Sequence, residues 1–218
     1  MITNFIISLL SVFIIFIATL VVNCHGSLEF VTCGSTFKLL NIQSGDRLHS
    51  HDVKYGSGSG QQSVTGTPNA DDHNSYWQIR GDTKNDCERG APVRCGDTIR
   101  LFHISTRRNL HSHHFVSPLS HNQEVSCYGE DGVGDEGDRW KVVCINNNDE
   151  FWERRNGIRL QHVVTGKQEI CAYRNMNSQN VWRAEEGVFI RPSSPDFSSG
   201  DYQQSSSRTK EERFDDEL

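Results

Sequence analysis

Three stretches of this chain open alike, and that recurrence constrains its fold more than any other feature. Phe37-Lys38-Leu39-Leu40, Ile99-Arg100-Leu101-Phe102 and Ile158-Arg159-Leu160-Gln161 begin segments spaced by about 60 residues. A small turn pair follows each opening: Ser44-Gly45, Thr106-Arg107 and Thr165-Gly166. The first two segments then share Leu-His-Ser-His, at Leu48-His49-Ser50-His51 and Leu110-His111-Ser112-His113. All three continue to a Gln-led strand (Gln62-Ser63-Val64, Gln123-Glu124-Val125, Gln168-Glu169-Ile170) and end on a tryptophan, Trp77, Trp140 or Trp182.

Within each segment apolar residues alternate or come in short runs, and Gly, Ser, Asn and Asp clusters separate them. No stretch of the body sustains a helical period, so the chain reads as many short strands joined by turns. Three such units predict an all-β fold, a β-trefoil, in which three four-strand lobes close a barrel under a hairpin cap and leave few exposed edges. The recurring Trp is expected to anchor the core of each lobe. A β-sandwich is the alternative, but it gives no reason for threefold repetition. The third lobe departs from the pattern. Thr165 stands only 3 residues before Gln168, and the counterpart of the Leu-His-Ser-His hairpin is missing. That shortening is expected to leave neighbouring strands unpaired and part of the core uncovered, lowering stability.

The ends carry addresses. Residues 5–22 are almost all Ile, Leu, Phe and Val, followed by Cys24 and Gly26. They read as a secretory signal peptide over residues 1–26, with no stable membrane span left after cleavage; an uncleaved anchor is the rival reading. Asp215-Asp216-Glu217-Leu218 closes the chain and differs at one position from the tetrapeptides that a retrieval receptor reads in the endoplasmic reticulum (ER). Residues 193–218 hold little that can be buried and read as a flexible tail that presents this signal. Residues 27–192 remain for one domain, with lobes at about 28–85, 92–146 and 151–192. The net charge of −6 gives no reason to expect a nucleic acid partner. Seven cysteines occur; loss of Cys24 with the leader leaves an even set in an oxidising compartment, where disulfides form. Spacing alone does not choose their pairing.

Catalytic patterns are missing. His49 and His51, and likewise His111 and His113, would share a strand face and could bind a metal. No acidic or thiol ligands sit in a matching constellation nearby, so structural hydrogen bonding is the preferred reading and no metal or cofactor is expected. Gly56-Ser57-Gly58-Ser59-Gly60 lacks the strand, helix and Gly-Lys-Ser/Thr that a phosphate loop requires. Cys87 and Cys95 do not form a Cys-x-x-Cys redox motif. The acidic run over residues 129–138 does not fit EF-hand spacing and reads as a solvated loop. Nothing supports an enzyme.

Val31-Thr32-Cys33-Gly34-Ser35, Arg47-Leu48-His49-Ser50-His51-Asp52-Val53, the YGSGSGQQSVT run from Tyr55 to Thr65, Asn74-Ser75-Tyr76-Trp77, Cys87-Glu88-Arg89-Gly90, the NLHSHHFVSPLSHNQE run from Asn109 to Glu124, and Glu186-Gly187-Val188-Phe189 together resemble the stromal cell-derived factor 2 family, over about residues 28–192. That resemblance implies three MIR repeats in a β-trefoil, residence in the ER lumen, no catalysis, and a place in protein quality control. The implied partners are a J-domain co-chaperone, the BiP-type chaperone it serves, and misfolded proteins. MIR repeats also occur in protein O-mannosyltransferases, which implies glycans as the alternative ligand, with Tyr55, Tyr76, Tyr128 and Phe115 as aromatic candidates. The resemblance further implies disulfides Cys33–Cys87 and Cys95–Cys144, with Cys127 and Cys171 as extras whose pairing stays open. Its repeated motifs point to Leu48, His49, His51, Asp52 and Tyr55, and to His111, His113, His114 and Phe115, as binding residues. Deleting Asp215 to Leu218 is expected to send the protein into the medium. Immunoblots of cells and medium check this, and a truncated chain that stays in cells without a co-expressed partner contradicts the retrieval reading.

Overall fold

The computed structural model describes residues 29–117, 121–166 and 178–191. The leader, the tail with its closing tetrapeptide, Cys171 and Gln168 to Ile170 lie outside the described residues. Ten strands follow in order: β1 (Thr36–Asn41), β2 (Arg47–Lys54), β3 (Gln62–Thr67), β4 (Tyr76–Gly81), β5 (Thr98–His103), β6 (Arg108–Val116), β7 (Gln123–Tyr128), β8 (Trp140–Cys144), β9 (Ile158–His162) and β10 (Trp182–Val188). Six of them close a ring by antiparallel pairing, β1 to β4, β5, β8, β9, β10 and back to β1. The other four form two hairpins, β2–β3 and β6–β7, which join through a short β3–β7 pairing at Gln62↔Cys127 and Ser63↔Ser126. This is a β-trefoil with two cap hairpins among the described residues.

The period-two pattern builds the wall. Successive strand side chains point to opposite faces, so Phe37 and Leu39, Trp77 and Ile79, Ile99 and Leu101, Trp140 and Val142, and Ile158 and Leu160 all turn into one core. Trp77 and Trp140 are fully buried and Trp182 is 4 % exposed. Trp152, which the repeat pattern does not single out, is buried with them and meets the Phe37 ring edge-on at 5.6 Å between centroids. Each turn pair after a first strand ends in the left-handed region, at Gly45 (φ 78°), Arg107 (φ 59°) and Gly166 (φ 64°). Glycine takes that conformation without strain; Arg107 takes it at a small cost.

Disulfides join Cys33 to Cys87 and Cys95 to Cys144, with Cα atoms 5.9 and 5.5 Å apart. They close loops of 54 and 49 residues, worth about 4 kcal/mol each in the chain-entropy picture. Cys127 is a free, buried thiol that donates to Ser50 Oγ at 3.3 Å; burial pushes its pKa up to about 12, so it stays protonated and unreactive.

The expectation that the shortened lobe leaves neighbouring strands unpaired does not hold for the barrel wall. β9 pairs along its length with β8, and Ile158, Leu160 and Ala184 are buried. The consequence is local. Trp77 Nε1 donates to the Leu48 carbonyl and Trp140 Nε1 to the Leu110 carbonyl, each at 2.9 Å, so each indole fastens one hairpin to the barrel. Trp182 Nε1 is equally buried and has no acceptor. Replacing Trp by Phe removes the same donor at all three places but strands a buried carbonyl only in the first two. Trp77→Phe and Trp140→Phe are therefore expected to cost about 1–3 kcal/mol more than Trp182→Phe, measured by urea unfolding.

Candidate functional site

The repeated Leu-His-Ser-His motifs begin the cap hairpins, and strand alternation sorts their residues. Leu48 and Leu110 face the core and are 2 % and 0 % exposed, so both act first as packing residues. Ser50 and Ser112 donate across their hairpins to the carbonyls of Ser63 and Glu124. His49 and His111 face the loops that precede the Trp strands. His49 Nδ1 lies 2.7 Å from Asp72 Oδ2, and His111 Nδ1 lies 2.9 Å from Asp138 Oδ1 and 3.6 Å from Asp135. The expectation that no acidic groups form a constellation with these histidines is thus corrected: the acids come from more than twenty residues along the chain. Asp72 and Asp135 each stand five residues before the lobe Trp, a periodic signal that the residue pattern contained.

The acidic loop is also less solvated than its composition suggests. Asp138 is fully buried. It accepts from Asn109 Nδ2 and the Asp135 N–H, and with Asp135 it forms a capping box around the 3-10 turn Glu136–Asp138. His111, Asp135 and Asp138 bring three possible ligand atoms within 4.8 Å of one another, but the Asp138 oxygens are already spent on these bonds. In the first lobe burial alone would raise the Asp72 carboxyl, yet hydrogen bonds from Ser75 and His49 outweigh it and hold the group below its usual range. Both histidine–acid sets act as struts between hairpin and barrel.

The outer ends of the motifs are different. His51 Nδ1 is 2.8 Å from His49 Nε2. His113 Nε2 approaches Glu124 Oε1 at 3.3 Å without the alignment of a hydrogen bond; burial lowers its pKa. Glu124 is itself buried and accepts from the Ser59 hydroxyl. Tyr55 is tied down, its hydroxyl bonded to Val64 and Val125. Asp52 and His114 are exposed, and Asp52 lies 3.8 Å from Arg108. Val53, Phe115 and Val116, at the ends of β2 and β6, are 51 %, 56 % and 59 % exposed.

A second repeated device escaped the motif reading. Asn41, His103 and His162 end the first strand of each lobe. His103 Nε2 donates to the Asn74 carbonyl at 2.8 Å and His162 Nε2 to that of Gly137 at 3.0 Å, while Asn41 Nδ2 reaches Gln179 at 2.7 Å. The opposite ring nitrogen of each histidine accepts from a threonine, Thr106 or Thr165. Both rings are therefore neutral, and burial lowers both pKa values, that of His162 to about 4.

Two clefts open on the cap. The larger, about 860 Å³, runs between the β2–β3 loop and the acidic loop and is lined by Lys54, Gln62, Arg108, Tyr128, Glu130 and Asp135 among others. The aromatic candidates do not converge on it: of the four only Tyr128 lines it, whereas Tyr55 is held as above, Lys38 covers Tyr76 and Phe115 is exposed near the end of β6. The smaller cleft, about 540 Å³, lies beside Trp182.

This architecture matches known proteins. The MIR domain family model matches residues 48–187. Stromal cell-derived factor 2-like protein 1 of Homo sapiens is 54 % identical over 181 residues, covering 76 % of this chain and 80 % of that protein. This chain belongs to the stromal cell-derived factor 2 family. The SDF2-like protein from Arabidopsis thaliana superposes with a TM-score of 0.71 at 40 % identity, over 76 % of this chain and 99 % of that one. An S. cerevisiae protein O-mannosyltransferase complex bound to the sugar donor carries a similar region, with a TM-score of 0.63 at 27 % identity, covering 78 % of this chain and 27 % of that one. In this stromal cell-derived factor 2 family member the histidine sets serve the fold, and the accessible chemistry lies at the hairpin ends and in the two clefts.

The neutral histidines give a pH signature. Between about pH 6.5 and pH 4 the unfolded chain takes up a proton at position 162 that the folded chain excludes, so stability falls as pH falls through that window. His162→Asn copies the Asn41 of the first lobe. Its melting temperature is expected to drop less than the parent's between about pH 6.5 and pH 5, read by circular dichroism; equal drops contradict this role.

Proposed function

We propose that this chain is a non-enzymatic subunit of ER quality control, which binds a J-domain co-chaperone of the BiP system and holds misfolded clients. Membership of the stromal cell-derived factor 2 family supports the reading. The observation that carries it is the exposure of Val53, Phe115 and Val116 at the hairpin ends. Exposed apolar groups in that number suit non-native polypeptide better than a reaction centre. The two disulfides suit an oxidising lumen, and the leader and closing tetrapeptide suit retention in the ER.

A glycan-binding role is the second reading. Tyr128, 40 % exposed, stands in the large cleft among Lys54, Gln62, Arg108 and Asp135, a polar set around one aromatic face, and the related region sits within a mannosyltransferase. Two assays separate the readings. With Val53→Ser, Phe115→Ser and Val116→Ser combined, affinity for a reduced model client, read as the concentration that suppresses its aggregation, is expected to fall by about ten- to a hundredfold, since three apolar contacts of roughly 0.5–1 kcal/mol each are removed. Recovery of the J-domain co-chaperone from ER lysate checks the partner. Unchanged aggregation suppression, together with release of bound proteins by free mannose, contradicts the chaperone reading.

A further inference from the structure

The cleft beside Trp182 stands where a third cap hairpin would complete the trefoil. It is lined by Asn41, Leu48, Val64, Thr65, Gly66 and Trp182. Two independent features of its walls are unfinished. The first is the indole of Trp182: the residue is 4 % exposed, its Nε1 is buried, and it has no acceptor. An unpaired buried donor costs about 1–3 kcal/mol, so a carbonyl brought to it is strongly favoured. The second is the edge of β3. Residues 64–67 pair with β2 on one side, but the pairing with β7 on the other involves only Gln62 and Ser63. Among the described residues, no strand pairs with residues 64–67 on that side; the Tyr55 hydroxyl holds the N–H and the carbonyl of Val64, so the edge left open as a template for another strand lies over residues 65–67.

The complete lobes show what fits. At Trp77 and Trp140 the indole N–H meets the carbonyl of a leucine whose side chain enters the core, in an extended segment that starts a hairpin. We infer that the Trp182 cleft is a docking site for an extended segment of another polypeptide, which adds a short strand at residues 65–67, gives a backbone carbonyl to Trp182 Nε1 and buries a leucine-like side chain against Leu48 and Val64. The required chemistry is an extended, strand-forming stretch with one aliphatic side chain, as around Leu48 and Leu110. Main-chain bonds supply affinity with little demand on sequence. The site stands on the cleft alone and holds whether or not the chain works beside a J-domain co-chaperone.

The probe is a synthetic peptide of residues 47–67 of this chain, which carries the first lobe's own hairpin and no cysteine. It is titrated into the purified protein with 15N-labelled indoles, and Trp182→Phe assigns the Trp182 signal. The expected result is a saturable downfield shift of the Trp182 indole N–H, with those of Trp77 and Trp140 unmoved. Trp182→Phe should weaken binding by up to about tenfold, the worth of one hydrogen bond. Thr65→Lys alters only the exposed rim and should weaken it at least as much; folding of both variants is checked by their melting curves. Four results overturn the inference. The peptide does not bind; it binds without moving Trp182; the Trp182 signal is already downfield and protected in the free protein, so that the chain's own residues fill the cleft; or a mannose oligosaccharide moves it and the peptide does not.

Discussion

Two indole N–H groups fasten the cap of this trefoil to its barrel. Trp77 and Trp140 are core residues first, and their aromatic bulk fills the space between strands. Their one polar atom then decides where the hairpins sit, because a buried N–H must find an acceptor. The Leu48 and Leu110 carbonyls are that acceptor, and the leucine side chains follow into the core. Once each hairpin is placed, His49 and His111 reach the acids of the adjoining loops and Ser50 and Ser112 cross to the second strand. The hairpin ends, with Val53, Phe115 and Val116, are carried outward by the same placement.

The third lobe shows what happens when the acceptor is withdrawn. Barrel closure survives because the wall strands are supplied by the opening and Trp segments, which all three lobes keep. Among the described residues the loss shows at the Trp182 N–H and at one stretch of strand edge. A fold built from repeats permits this: each lobe contacts its neighbours through the wall, and the cap hairpins are additions to it.

Much of the fold was legible in the residues because its logic is local and periodic. Three opening strands, three turn pairs and three tryptophans predict a trefoil without knowledge of any contact, and the left-handed turns at Gly45, Arg107 and Gly166 fall where the turn pairs stand. The site was less legible. Leu48 looked like part of a binding motif because it lies beside two histidines, yet strand alternation turns it inward. Asp72 and Asp138 are distant in sequence from their histidines, and a search of nearby residues could not find them. Asp138 lay in a run of acidic residues that composition alone makes solvated; a capping box and a buried asparagine hold it inside instead. The Asn41, His103 and His162 set was hidden by the change of residue type in the first lobe, although each side chain donates to a backbone carbonyl three residues before a lobe Trp. The family resemblance supplied what periodicity could not, including the pairing of Cys33 with Cys87 and of Cys95 with Cys144 seen in the structure.

Hydrogen exchange of the indole N–H groups of the free protein, followed by NMR, tests the latch most directly. If the Leu48 and Leu110 carbonyls hold the cap, the Trp77 and Trp140 N–H groups exchange only through global unfolding, with protection that tracks the stability measured by denaturant. The Trp182 N–H, without an acceptor, exchanges through a smaller local opening and is less protected. Equal protection at all three tryptophans, or rapid exchange at Trp77 and Trp140, contradicts the account.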